Sequence, residues 1–262
     1  MNWSHIMYLP VLATLFWPLA IIAKKKHPTR AQLLLIVDML MVAFATFILT
    51  VILRGRSDHL FIYQYILQIV SVLCIPFYYL SICALTEPRG TSLRQRRSLI
   101  LPLLYIIGIT IASLLIGPQR YETLCRTLRC GNLMLSHGDT AWNLMTFFSR
   151  EIYLALIVVL NLILLIMASH KSIIFQKRFN SYYADQIGAP KLKSRILSVL
   201  TWVFLPLALA ALIAVYYHPP FYKYIIIALA ILATVLQLFI GRYAYSLDYD
   251  ARYLAQFVKK NG

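Results

Sequence analysis

Acidic residues are scarce in this chain. Nine Asp and Glu stand against 25 Lys and Arg in 262 residues, and charged residues of both signs make up only 13%. A soluble domain carries about 25%, so the deficit excludes an ordinary water-facing surface. Glycine is also scarce, at nine residues. Close helix packing through small residues therefore does not dominate, and no pair of short glycine-interrupted apolar segments marks a transporter repeat. Four cysteines and six histidines are present, with no spacing that resembles a zinc site. Walker, Rossmann, HExxH and GxSxG patterns are missing, so no enzymatic activity and no cofactor is expected. No Lys or Arg precedes the first apolar run and no small-x-small site follows it, which argues against a cleavable signal peptide.

What the chain has is apolar sequence, 61% of it, gathered into long blocks. Seven blocks are predicted as helices: Ile6–Ala23, Gln32–Leu53, Leu60–Leu85, Leu99–Ile116, Glu151–Ser169, Ile196–Tyr217 and Phe221–Tyr245. Each is close to the ~20 residues that cross a hydrocarbon core as a helix. Pro10, Pro18, Pro76, Pro102 and Pro206 fall inside blocks, a placement that membrane helices tolerate. Tyr8, Trp17, Tyr63, Tyr65, Tyr105, Trp142, Tyr153, Tyr216, Tyr217, Tyr222 and Tyr224 lie near block ends, as an aromatic belt requires. The expected architecture is all-α and polytopic, with seven transmembrane helices over 1–245 and a short cytoplasmic tail or linker over 246–262.

A net charge of +16 suggests nucleic acid in a soluble protein. Here the basic residues lie between apolar blocks, so they are read as topology markers. With the N-terminus outside, 18 of the 25 fall in inside links or the tail, among them Lys24, Lys25, Lys26, Arg96, Arg97, Lys171 and Lys177. Arg54, Arg56, Arg120, Arg126, Arg129, Arg150 and Lys223 fall outside. The positive-inside rule thus predicts N-terminus out and C-terminus in, and the expected location is the inner (cytoplasmic) membrane of the cell, crossed several times. The bilayer is the first partner, with anionic headgroups attracted to the basic links. Direct nucleic acid binding by this chain is not expected, and homodimerisation is left open.

Asp38 is the one acidic residue well inside an apolar block, where an ionisable group is a functional candidate by default. Depth along a helix of ~1.5 Å rise matches it with Tyr78, Tyr79, Trp202 and Gln237 as an intramembrane polar layer. That layer reads equally as a lock between helices or as a proton or signalling element. Nearer the outside, Gln64, Gln68 and Ser71 share one face of the third block, with Asn161 mid-way along the fifth and Glu151 at its mouth. They are candidate ligand-binding residues, or hydrogen bonds between helices. Cys125 and Cys130 lie in the longest outside link, where an oxidising compartment would allow a local disulfide. Cys74 and Cys83 read as packing residues. His137 and Asp139 read as loop polarity. A retinal-type pigment needs a deep lysine in the last helix, and Lys223 lies at its edge.

The stretch "YYAD" (Tyr182 to Asp185), the basic entry into a Trp-containing block after it, and the exit "IGRYAYSLDY" (Ile240 to Tyr249) resemble the membrane region of Bacteroidetes-type regulators. In that family several transmembrane helices precede a cytoplasmic AraC-like helix-turn-helix domain. The sequence runs to Gly262 without such a domain, so DNA binding is not carried over to these residues. The resemblance implies a sensor that relays an external stimulus to a cytoplasmic output domain or partner protein. The tail "SLDYDARYLAQFVKK" gathers Leu247, Tyr253 or Leu254, and Phe257 or Val258 near one face, which suits a linker or membrane-surface helix. A small transporter or channel is the competing expectation, and it requires a water-accessible path past Asp38.

Overall fold

The computed structural model describes residues 8–24, 28–54, 60–87, 92–129, 139–182 and 222–245. The sixth predicted block with Trp202, the tail from Ser246, Cys130 and His137 lie outside the described residues. Every regular element among the described residues is helical. In chain order they are α1 (Leu9–Lys24), α2 (Arg30–Arg54), α3 (Leu60–Thr86), α4 (Leu93–Arg96), α5 (Ile100–Ile116), α6 (Pro118–Arg129) and α7 (Thr140–Thr146). These are followed by α8 (Tyr153–Ala155), α9 (Asn161–Tyr182) and α10 (Tyr222–Tyr245). A 3-10 turn, Arg97–Leu99, joins α4 to α5, and two π-helical stretches, Phe147–Ile152 and Leu156–Leu160, join α7, α8 and α9 into one continuous rod.

Helix starts follow local side-chain chemistry. Thr29 and Gln32 form a reciprocal capping box: the Thr29 N–H donates to Gln32 Oε1 at 3.0 Å and the Gln32 N–H to Thr29 Oγ1 at 3.2 Å. Ser92 and Gln95 repeat the device at α4. Asp139 caps α7 by accepting the Trp142 N–H at 3.1 Å. Gly117 lies at φ 75°, the left-handed side where a Cβ is penalised, and there α5 ends and α6 begins.

Four of the helical stretches are long and apolar enough to cross a membrane: Arg30–Ile52, Phe61–Thr86, Arg97–Ile116 and Thr140–Phe175, with α1 a shorter apolar helix. They mark an all-α membrane protein. The outward faces agree. Leu101, Leu104, Ile107, Ile111 and Leu114 of α5 are all exposed, Leu114 by 78%, a stripe that lipid can cover and water would not. The α7–α9 rod is longer than the predicted block Glu151–Ser169 at both ends. At 36 residues its apolar span rises about 54 Å, well beyond the ~30 Å hydrocarbon core.

Buried side chains form two main clusters, one toward each end of the bundle. One joins Ile48 and Ile52 late in α2, Val72 of α3, Tyr105 to Ile116 of α5, Tyr121 and Leu124 of α6, and Met145 to Ile157 of the rod. The other joins Ile21 late in α1, Leu35 and Ile36 early in α2, Tyr78 to Cys83 late in α3, and Leu164 to Ala168 of α9, with Leu99 and Tyr245 packed against it. α2, α3, α5 and the α7–α9 rod therefore alternate in direction from one to the next. The second end carries Lys24, whose Nζ lies 4.1 Å from the centroid of the Tyr245 ring, so α1 and α10 finish side by side.

Candidate functional site

The helix α6 falls in a link where the sequence suggested a short disulfide-closed loop. Tyr121, Leu124 and Cys125 are buried on one face, the i, i+3, i+4 spacing of an amphipathic helix, so the signal was present in the sequence. Two acceptors on or beside α6 tie it down. Glu122 Oε2 accepts the Phe61 N–H at 3.0 Å, satisfying a donor in the first turn of α3, and the Phe61 and Tyr121 rings meet at 6.1 Å. Arg120 bonds Asp139 at 2.7 Å, so the residue that caps α7 also holds α6. The Asp139 carboxyl sits below its usual range because the Arg120 guanidinium and then the Trp142 N–H donate to it. Cys125 is a free thiol turned into this core, and burial, with the Glu122 carboxylate nearby, pushes it up from its ordinary value. Its expected partner, Cys130, lies outside the described residues.

Below this cap, α3 and the rod share a polar seam. Gln68, 1% exposed, donates through Nε2 to the Ser149 carbonyl at 3.0 Å. Ser71 Oγ meets the Tyr153 hydroxyl at 2.8 Å, and Tyr65 of α3 meets Thr110 of α5 at 2.7 Å. Two of the predicted ligand residues thus engage the neighbouring rod. Gln64 is half-buried on the same face, Asn161 is buried one turn beyond α8, and Glu151 is exposed. The partners Ser149 and Thr110 carried no sequence signal, and Tyr153 only that of an aromatic belt, because a single hydroxyl in an apolar block is not informative before its neighbour is known.

Asp38 is buried to 6% exposure, and its Oδ1 has no hydrogen-bond partner among the described residues. It lies within electrostatic reach of Cys74 on α3. Its chain neighbour Met39 packs with Leu236 and Ile240 of α10, and Gln237 is buried beside Leu236. Tyr78 and Tyr79 are buried in the cluster at the Lys24 end. No group of three or more His, Cys, Asp or Glu placed to hold a metal occurs among the described residues.

At the Lys24 end, Glu87 just past α3 accepts hydrogen bonds from Lys171 of α9 and from the Gln95 side chain of α4. Burial pushes the Glu87 carboxyl up, but these bonds outweigh it and leave it below its ordinary value. α3 and the rod are therefore bridged at this end and tied to α6 at the other. Comparison with family models, with curated proteins and with solved structures finds no match to this chain.

Proposed function

We propose that this chain is a seven-span sensor of a bacterial inner membrane, N-terminus out, that relays an external stimulus to a cytoplasmic output domain or partner. The observation that carries the reading is the attachment of α6. One small amphipathic helix holds the first turns of both α3 and α7, through Glu122 and through Arg120 with Asp139. Farther along, Glu87 just past α3 is bridged to Lys171 of α9, in the same rod as α7. A stimulus that shifts α6 acts on a helix pair whose relative position is read at the opposite end.

The test releases the cap and reads the other end. Spin labels at Ser92 and Lys177, both exposed, report that distance in protein reconstituted in nanodiscs. Glu122→Gln with Asp139→Asn should shift or broaden the distribution by several ångströms. An unchanged distribution in a folded variant would remove the coupling on which the reading rests. The Asp38 Oδ1, unpartnered among the described residues, favours the competing transporter reading. That reading requires proton or ion flux in proteoliposomes that Asp38→Asn abolishes.

A further inference from the structure

The α7–α9 rod is interrupted twice within fourteen residues, at Phe147–Ile152 and Leu156–Leu160. A π-bulge holds one extra residue in a helix, so a carbonyl loses its usual partner. The Tyr153 N–H bonds to the carbonyls of Phe148 and Arg150 and passes over Ser149 between them. The Asn161 N–H bonds to Leu156 and Val158 and passes over Ile157. The Ser149 carbonyl that Tyr153 leaves is the one Gln68 takes from α3. The only regular turn between the bulges, Tyr153–Ala155, is held to α3 by the Tyr153 hydroxyl on Ser71.

Moving a bulge along a helix rotates only the residues it passes, by about 100° per residue. A turn with a bulge on each side can therefore rotate while α7 above it and α9 below it keep their places. Those flanks are fixed here, α7 by Asp139 with Arg120 and α9 by Lys171 with Glu87. The latched state is also incompletely satisfied. Among the described residues, Gln68 Oε1 and Ser149 Oγ are both buried without a hydrogen-bond partner, so a second arrangement in which they pair has something to gain.

We propose that Tyr153–Ala155 is a rotary switch between two π-bulges, latched by Gln68 and Ser71 of α3. In the second state the Ser149 carbonyl returns to the Tyr153 N–H, Gln68 is released, and the Tyr153 ring leaves Ser71 and the Tyr105 ring, whose centroid lies 6.3 Å from its own in the latched state. The inference is independent of the sensor reading, since a transporter could use the same device.

The experiment places 3-fluorotyrosine at position 153 alone and follows its fluorine resonance in nanodiscs. Wild-type protein should give one dominant line. Gln68→Leu with Ser71→Ala should produce a second line in slow exchange, at a tenth or more of the total intensity, and should speed amide exchange at Tyr153 and Leu154. Amides of Leu144 and Leu165, on the flanks, should exchange at unchanged rates. A single line in the folded double variant, or equal acceleration in the flanks, would overturn the switch. If the double variant does not fold, relaxation dispersion on the labelled wild-type protein decides: an exchange contribution at position 153 supports the second state, and a flat profile overturns it.

Discussion

At the scale of single residues, burial separates groups that hold the bundle from groups kept at a cost. Gln68, Ser71 and Tyr153 meet partners, and each such bond is worth about 0.5–1.5 kcal/mol. Asp38 is different: its Oδ1 is buried and unpaired among the described residues. An unsatisfied buried polar atom costs about 1–3 kcal/mol, and an apolar replacement of similar shape removes that cost. Asp38→Leu is therefore expected to raise the thermal unfolding temperature in detergent, while Asp38→Asn leaves it nearly unchanged. A clear drop with Leu would mean that a residue outside the described ones bonds Asp38 as part of a structural lock. Gly241 gives the opposite case. An added Cβ there would overlap the base of the Trp17 indole, which cannot swing away as the tip of a flexible side chain can. Gly241→Ala should destabilise the contact between α1 and α10 by about 1–3 kcal/mol. Trp17→Leu in the same chain should recover part of the loss, and a thermal shift assay on the two variants reads both effects.

At the scale of elements, the helix pair of α3 and the rod is where charge and position meet. Glu87 joins the two helices to α4, and its carboxyl lies below its ordinary value of 4.5 in the folded protein. A depressed carboxyl contributes stability that is present above the unfolded value and lost as pH falls through the folded one. Acidification from above the ordinary value of 4.5 to well below it should thus loosen the Lys24 end, seen as faster amide exchange at Gln95, and Glu87→Gln should remove that pH dependence. With Lys171 and Glu87 side chains 26% and 33% exposed, the pair is worth no more than about 1 kcal/mol. The elements themselves were largely legible in the sequence. The apolar blocks located α1, α2, α3, α5 and α10, because length and hydropathy alone decide a membrane helix. The fifth block was placed but cut short, since Asp139 is an N-cap only if Trp142 turns back onto it, and Lys171 ends an apolar run without ending a helix. Its π-bulges left no trace in the pattern: the Ser149 carbonyl freed at the first is taken up by Gln68, a side chain of another helix. The amphipathic α6 was readable from Tyr121, Leu124 and Cys125, but the paired cysteines in that link suggested a loop instead.

At the scale of the whole molecule, the two buried clusters sort the described charges without reference to any membrane. Lys24, Arg96, Arg97, Lys171 and Arg242 gather toward the end where α1, α3 and α10 finish. Arg120, Arg126 and Arg150 belong to the opposite end, beside α6 and the start of the rod. The alternation of α2, α3, α5 and the rod between these ends is what successive crossings of a bilayer produce, and it leaves one further choice, which end faces the cytoplasm. Cytoplasmic links carry the excess of Lys and Arg because positive residues resist translocation, so the Lys24 end is expected inside. Arg96, Lys177 and Gln119 are all exposed and sample both ends. In a background with its own cysteines replaced, single cysteines at Arg96 and Lys177 should stay unmodified by an impermeant thiol reagent on intact cells and label after lysis. A cysteine at Gln119 should label on intact cells. Labelling of Arg96 and Lys177 with protection of Gln119 would invert the protein in the membrane. α6 would then lie in the cytoplasm, and the reading of α6 as the receiver of an external stimulus would fall with it. Labelling of both groups on intact cells would instead break the alternation that the two clusters impose.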